Sequence, residues 1–540
     1  MNSISNGRWF YLRLVGSVFF IYTIIQIYCI NQLSVNYDEG SFATYGTTLL
    51  KFQREKDVVQ YESKLPITAL NMLPRAAEQL IHPKLTRAWP ESQRDIVNGR
   101  YVSLLFSILL GLIIFSWSRN MYDQKTAFFV VLLYLLCPNF LAHGVFVSSD
   151  IFACFFMTSA FYCCWLYFKQ QQFKYFLFLC VCTALAQISK FSMFHLFLLV
   201  PFLFAVLLFY QKKELNTGFG LKKIISYLAL FLFINWAVIC MAHLFYQVFV
   251  PINHYTFKSN GFKSLQQFCN NIFPRFLVPL PSAYVISMDA VMYFDHLGGG
   301  VQGSLNGAPY ILGKYSVYGF WYYYFVAIFF KVPVSMLMLL LTSILLFFIK
   351  FSRSIFFQND IFVIVPIFYF IIYMNFFYST QVGIRHLLII FPFLFIFSGK
   401  IILYIIMRQK QLALYTLLVY QAISVFSYFP HFLPYTNEFI INKKLAYRKI
   451  ADTNICYGEG AKYLQQYLAK NPGAIYSPER PTAGKIILEV NEMLNLNMAS
   501  IHKYDWAKSL QPVDHIHSQY LVFDISQQTA DSLLTSINKP

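Results

Sequence analysis

Apolar runs of roughly 15–24 residues recur along the chain near positions 9–30, 100–118, 126–142, 151–168, 175–189, 191–210, 223–243, 334–349, 361–378, 386–406 and 411–430. A helix rises about 1.5 Å per residue, so runs of this length cross most or all of a hydrocarbon layer of about 30 Å. The pattern predicts an α-helical polytopic membrane protein with about eleven transmembrane helices. The first run, Trp9 to Ile30, is followed by Asn31–Gln32–Leu33–Ser34 instead of a small-residue cleavage site, and is expected to be a retained anchor. Polar stretches at 31–99, 244–333 and 431–540 separate or follow the runs. The first has amphipathic patches from Phe42 to Phe52; the second is rich in glycine (Gly298, Gly299, Gly300, Gly303, Gly307, Gly313). The third alternates a helix-like stretch, Ala461 to Lys470, with a strand-like one, Gln519 to Asp524, and is expected to form a small C-terminal α/β domain. The domain reading is therefore 1–430 for the membrane part with its two large loops, and 431–540 for the tail. Trp321 to Lys331 is apolar and aromatic but is cut off by Pro333, which predicts a separate helix lying at the membrane interface.

Composition agrees with life in lipid: 57% of the 540 residues are hydrophobic and 12% are charged, with 39 Tyr and 59 Phe suited to interfacial belts. The formal charge of +18 is explained by orientation, so no nucleic-acid partner is expected. Arg8, Arg119, Lys125, Lys169, Lys174, Lys212, Lys213, Lys222, Lys223, Lys350, Arg353, Arg408 and Lys410 fall on one side when the N-terminus is cytoplasmic. The same topology exports the polar stretches and the C-terminus, to the periplasm if the protein is bacterial and sits in the inner membrane. Eight of the ten cysteines lie in apolar runs, while Cys269 and Cys456 fall in exported segments where a disulfide is permitted but not demanded by spacing.

Candidate chemistry sits at the exported ends of the runs. Asp38 and Glu39, just after the first run, put carboxylates at headgroup level, where Asp38 can serve as general base towards an acceptor hydroxyl. The competing account is that both acids cap the helix beginning near Ser41. Asp150 opens the fourth run behind Ser148–Ser149, again as an acid or as a cap, and His143 in the same turn is a candidate contact for the lipid phosphate. Arg100, Lys190, Lys331 and Arg385 stand at exported run ends, where the orientation rule should have depleted cations. A departing phosphate needs such partners, whereas the plain alternative is snorkelling to lipid headgroups. No Asp-x-Asp motif occurs in the exported loops. No obligatory metal is expected, and a divalent ion, if used, would call on Asp38, Glu39 and Asp150.

These residues, in this order, resemble a known family. Asp38–Glu39, Arg100, His143 with Asp150, Ser189–Lys190, Gly313-Lys-Tyr-Ser-Val-Tyr-Gly-Phe-Trp and Lys331-Val-Pro333 look like the dolichyl-phosphate-mannose protein mannosyltransferase-like group of C-type membrane glycosyltransferases. The likeness continues through Gly383-Ile-Arg-His386, Phe429 to Glu438 and Asp452-Thr-Asn-Ile-Cys-Tyr-Gly-Glu459. The last stretch departs from the family's usual Asp-Ser-Asn-x-Asp-Trp-Gly-Gln. The resemblance implies a catalytic Asp38 beside Glu39, a lipid phosphate held by Lys190, Arg385 and His386, and inversion at the anomeric carbon in one displacement. It implies a polyprenyl-phosphate-linked sugar as donor, leaning towards mannose, and a protein, lipid or glycan acceptor, with dolichol and undecaprenol both open as carrier. The rival reading is a transporter or flippase of lipid-linked sugars, which would need ionisable residues along a path through the membrane; the apolar runs hold almost none.

Overall fold

A computed structural model describes residues 2–83, 93–214, 220–273, 275–298, 307–497 and 502–537. Every one of the apolar runs becomes helical. Among the described residues, seven helical stretches are long and apolar enough to span a membrane: Phe10–Gln32, Arg94–Met121, Asp150–Gln170, Phe191–Tyr210, Leu221–Ala242, Arg353–Phe376 and Ile384–Met407. Four shorter apolar helices, Gln124–Leu135, Phe173–Gln187, Val334–Ile349 and Gln411–Phe426, accompany them among the described residues. Proline explains the clearest departure of the elements from the pattern. The run at 126–142 stops at Leu135, and Pro138 opens a new short helix, Pro138–His143, at a position where its missing N–H costs nothing.

Two of the spans start with a turn of tighter helix. Phe191–His195 precedes Leu196–Glu214, and Ile384–Ile390 precedes Phe391–Met407, which has Pro392 in its first turn. Both tight turns follow directly on, or carry, a candidate site residue: Lys190 in the first case, Arg385 and His386 in the second.

The polar stretches fold as helices and small sheets against this bundle. Glu39–Leu50 is helical, as its amphipathic pattern predicts, and Tyr323–Lys331 is a separate helix that ends before Pro333. Gly299, Gly300 and Gly303 lie outside the described residues. In the tail, Ala461–Lys470 is a helix and a four-stranded sheet runs in the order Ile475–Tyr476, Gly484–Glu489, Tyr520–Ile525, Asp514–Ile516. Its first pair is parallel and the others antiparallel, with Ile487 opposite Val522. The tail is not a bead on a string: Tyr435, Ile455, Tyr463 and Val522 are buried in the same apolar core as the spanning helices. Cys269 and Cys456 are both free thiols, the latter buried beside Glu489.

Candidate active site

The neighbouring acids Asp38 and Glu39 meet different fates because Asn36 takes over the capping task. Its Oδ1 accepts from the backbone N–H groups of Asp38 and Glu39, both at 3.0 Å, so neither carboxylate caps the helix through its own first turn. Glu39 turns inward and is fully buried. It receives Arg100 Nε at 2.8 Å and Nη2 at 2.6 Å, together with the backbone N–H groups of Val147 and Asn36 at 2.9 Å. Arg100 spends its remaining donors on the carbonyls of Ile30, Leu33 and Ser34 and is only 1% exposed.

Asp38 instead points into a cavity of about 650 Å³, within the range of small-molecule sites. Asp150, Lys190, Arg385 and His386 line the same cavity, so charges drawn from four separate parts of the chain converge. Asp150 Oδ1 holds Lys190 Nζ at 2.6 Å, and no cap bond is made by the preceding Ser149 side chain. Arg385 Nη2 reaches Asp38 Oδ2 at 3.3 Å, and the Tyr378 hydroxyl pairs with His386 Nδ1 at 2.9 Å. Arg385 Nε is buried and finds no hydrogen-bond partner among the described residues. An orphan guanidinium donor at a cavity wall is what an anionic ligand would satisfy. Phe194, Met292, Phe294 and Phe377 also line the cavity and are exposed on the outer surface, giving it an apolar mouth.

Burial by itself would raise the Asp38 carboxyl. The charges of Arg385 and Lys64 and the hydrogen bonds from Tyr457 and Arg385 outweigh it and hold the group below its ordinary value, so it stays ionised near neutrality. The turn carrying Arg385 is braced from the tail. Gly383 has φ of 137°, and a Cβ there would meet Thr453 Oγ1 at 2.1 Å, so only glycine lets the two segments touch. Asn454 Oδ1 then accepts from Ile384 N–H at 3.0 Å.

Three expected phosphate ligands do not face the cavity. Arg100 is committed to Glu39. Lys331, 2% exposed, donates to the carbonyls of Leu433 at 2.5 Å and Asn454 at 2.6 Å, fastening the helix before Pro333 to the tail. His143 is buried edge-on against Phe146 with ring centres 5.9 Å apart. Glu39 likewise has no route to a substrate, since all its acceptor capacity is used inside the wall. For these four the geometry corrects the sequence expectation: each is a strut and not a cavity group.

Other cavity neighbours escaped the sequence reading. Lys64 Nζ lies 4.0 Å from Asp38 Oδ1, Asp295 lines the cavity while accepting from Ser379 and Thr380 N–H, and Tyr457 bonds both Asp38 and Arg385. For Tyr457 the altered 452–459 stretch was the available signal. Among the described residues no group of three or more His, Cys, Asp or Glu side chains is arranged to hold a metal ion. Within the spanning helices, Asp360 and Lys400 form a further ion pair at 2.5 Å. Lys400 follows Arg385 on one helix by about 22 Å of rise, so it sits at the opposite end from the cavity.

Residues 93–241, less than half of the chain, match the family described as dolichyl-phosphate-mannose-protein mannosyltransferase. No curated protein matches the chain. Among solved structures, the sugar-donor-bound protein O-mannosyltransferase complex of S. cerevisiae is 15% identical, over 44% of this chain and 33% of that one, with a TM-score of 0.36. The oligosaccharyltransferase of Archaeoglobus fulgidus in its apo form is 12% identical over 85% of this chain and 60% of that one, with a TM-score of 0.46. ArnT of Cupriavidus metallidurans in the apo state is 10% identical over 96% and 98%, with a TM-score of 0.33. The chain thus spans less than two thirds of the yeast and archaeal chains. Arg100, His143, Asp150 and Lys190 fall inside the matched segment, and Asp38 and Arg385 outside it. The resemblance read from the sequence is met by a match to the dolichyl-phosphate-mannose-protein mannosyltransferase family model over residues 93–241.

Proposed function

We propose that this protein is a membrane glycosyltransferase that moves a sugar, mannose in the first instance, from a polyprenyl-phosphate carrier to a hydroxyl acceptor on the non-cytoplasmic face. The observation that carries the reading is the shared cavity: an ionised carboxylate, Asp38, faces a guanidinium with an unmet donor, Arg385, beside an apolar mouth suited to a prenyl chain. The acceptor oxygen attacks the anomeric carbon as its proton passes to the Asp38 carboxylate. The bond from that carbon to the phosphate oxygen breaks, and the polyprenyl phosphate leaves as an anion neutralised by Arg385 and Lys190. One displacement inverts the anomeric centre and needs no covalent enzyme intermediate. Asp150 keeps Lys190 aimed at the cavity, and Lys64 adds positive charge beside Asp38.

Mannose rests on the family match at 93–241, and the face on the charge bias of the loops. A carrier for lipid-linked sugars gains little support, because the cavity charges gather at one end of the bundle and the Asp360–Lys400 pair at the other is closed on itself. The test is incubation of the purified protein with radiolabelled polyprenyl-phosphate mannose and a hydroxyl acceptor. Release of polyprenyl phosphate with label in the acceptor supports the reading; label left wholly on the carrier contradicts it.

A further inference from the structure

A base and a phosphate-binding cation that face each other across a cavity are each other's natural partners. A closed, two-pronged arginine–carboxylate pair would silence both. Asp38 and Arg385 do not form one: their direct contact, Nη2 to Oδ2, is 3.3 Å, against about 2.7–2.9 Å for a strong charge-assisted bond. The Tyr457 hydroxyl stands between them. It accepts from Arg385 Nη1 at 2.5 Å and donates to Asp38 Oδ2 at 2.5 Å.

Tyr457 is held where it is by every segment around it. Its side chain is buried, with the Arg385 guanidinium over its ring at 4.6 Å and Phe146 edge-on at 6.0 Å. Its N–H donates to Glu459 Oε2 at 2.9 Å and its carbonyl accepts from Tyr37 N–H at 3.0 Å, tying the tail to the residue next to Asp38. Gly458 follows with φ of 87°, and a Cβ there would come within 2.8 Å of the Tyr37 ring, so the two chains lie flush.

We propose that Tyr457 is a positioning residue whose hydroxyl keeps Asp38 and Arg385 from closing on each other, so that Arg385 stays available to a lipid phosphate and Asp38 to the acceptor. The proposal rests on the reading of Arg385 as a phosphate ligand. With the hydroxyl in place, Asp38 Oδ1 is left facing Lys64 at 4.0 Å, beyond hydrogen-bond reach, and Arg385 Nε remains unpaired among the described residues. Without it, the guanidinium can slide onto the carboxylate, and a phosphate must first pull the pair apart.

The role predicts a dependence that simple packing does not. Undecaprenyl phosphate binding is measured on the full-length protein in detergent for wild type, Tyr457→Phe, Asp38→Asn and the double variant, with Arg385→Gln as reference. Tyr457→Phe should weaken binding roughly tenfold, the size of one hydrogen bond lost or remade. In the Asp38→Asn background the same change should have no effect, because no carboxylate is left to capture Arg385. Tyr457→Gln, which keeps a donor and an acceptor, should restore most of the affinity. Equal weakening in both backgrounds, or none in either, overturns the proposal. Binding that ignores Arg385→Gln overturns the phosphate reading itself and this role with it.

Discussion

Replacing Glu39 by Gln removes one charge from a pair in which Glu39 and Arg100 are 0% and 1% exposed. Four donors converge on the carboxylate: two from Arg100 and the N–H groups of Val147 and Asn36. A glutamine offers one oxygen, so its amide nitrogen must face at least one of these donors, and the guanidinium is left buried without a counter-charge. Breaking a buried pair from one side costs roughly 3–5 kcal/mol, a large share of the roughly 5–15 kcal/mol that holds a typical domain folded. Glu39→Gln should therefore lower the thermal midpoint of the detergent-solubilised protein and its yield, while the molecules that remain folded turn over donor at close to the normal rate. The assay is monomer recovery on size-exclusion after heating, with turnover expressed per folded molecule. An unchanged midpoint together with lost turnover would refute the assignment of Glu39 to the wall and return it to the reaction.

Other outcomes follow from the same geometry. Arg385→Gln should weaken polyprenyl-phosphate binding by tenfold or more, since a hydrogen bond to a charged group contributes roughly 1.5–3 kcal/mol, and Arg385→Lys should recover only part because lysine lacks the planar fork; direct binding measurements decide. Asp452, pushed up to about 7 by burial against the pull of Arg385, keeps a proton that the unfolded chain has lost between about pH 4 and 7. Its contribution to stability therefore falls as pH rises through that window, and Asp452→Asn should raise the melting temperature at pH 8 but not at pH 4. An equal shift at both would dispose of this. An alkaline phosphatase fused after the C-terminus should be active in bacterial cells, as export of the tail requires; an inactive fusion that is stably made would reverse the proposed orientation.

How far the sequence disclosed this arrangement depended on the range of the interaction. Spanning helices follow from local hydrophobicity, so each apolar run was readable, and the clearest departures came where Pro138 or Pro392 introduced a break or a tighter turn. Asp38, Asp150, Lys190 and Arg385 were readable because a charge at the end of an apolar run stands out. The same rule could not separate cavity groups from struts: Arg100 and Lys331 occupy equivalent run ends but are claimed by Glu39 and by tail carbonyls. Those partners are set by packing, which leaves no periodic trace. Tyr457 was hidden for a related reason. It meets Asp38 across 419 residues, and in a chain that is 19% aromatic one more tyrosine stands out only through the altered 452–459 stretch around it.

Asp38→Asn tests the role of the Asp38 carboxylate with almost no change of shape. Wild-type and variant protein are matched for folded amount and incubated with radiolabelled polyprenyl-phosphate mannose and acceptor, and carrier binding is measured in parallel. The variant should still bind the carrier while sugar transfer falls by about 10²–10⁴-fold, the range for loss of a general base. Transfer at the wild-type rate by a folded Asp38→Asn protein would contradict that role.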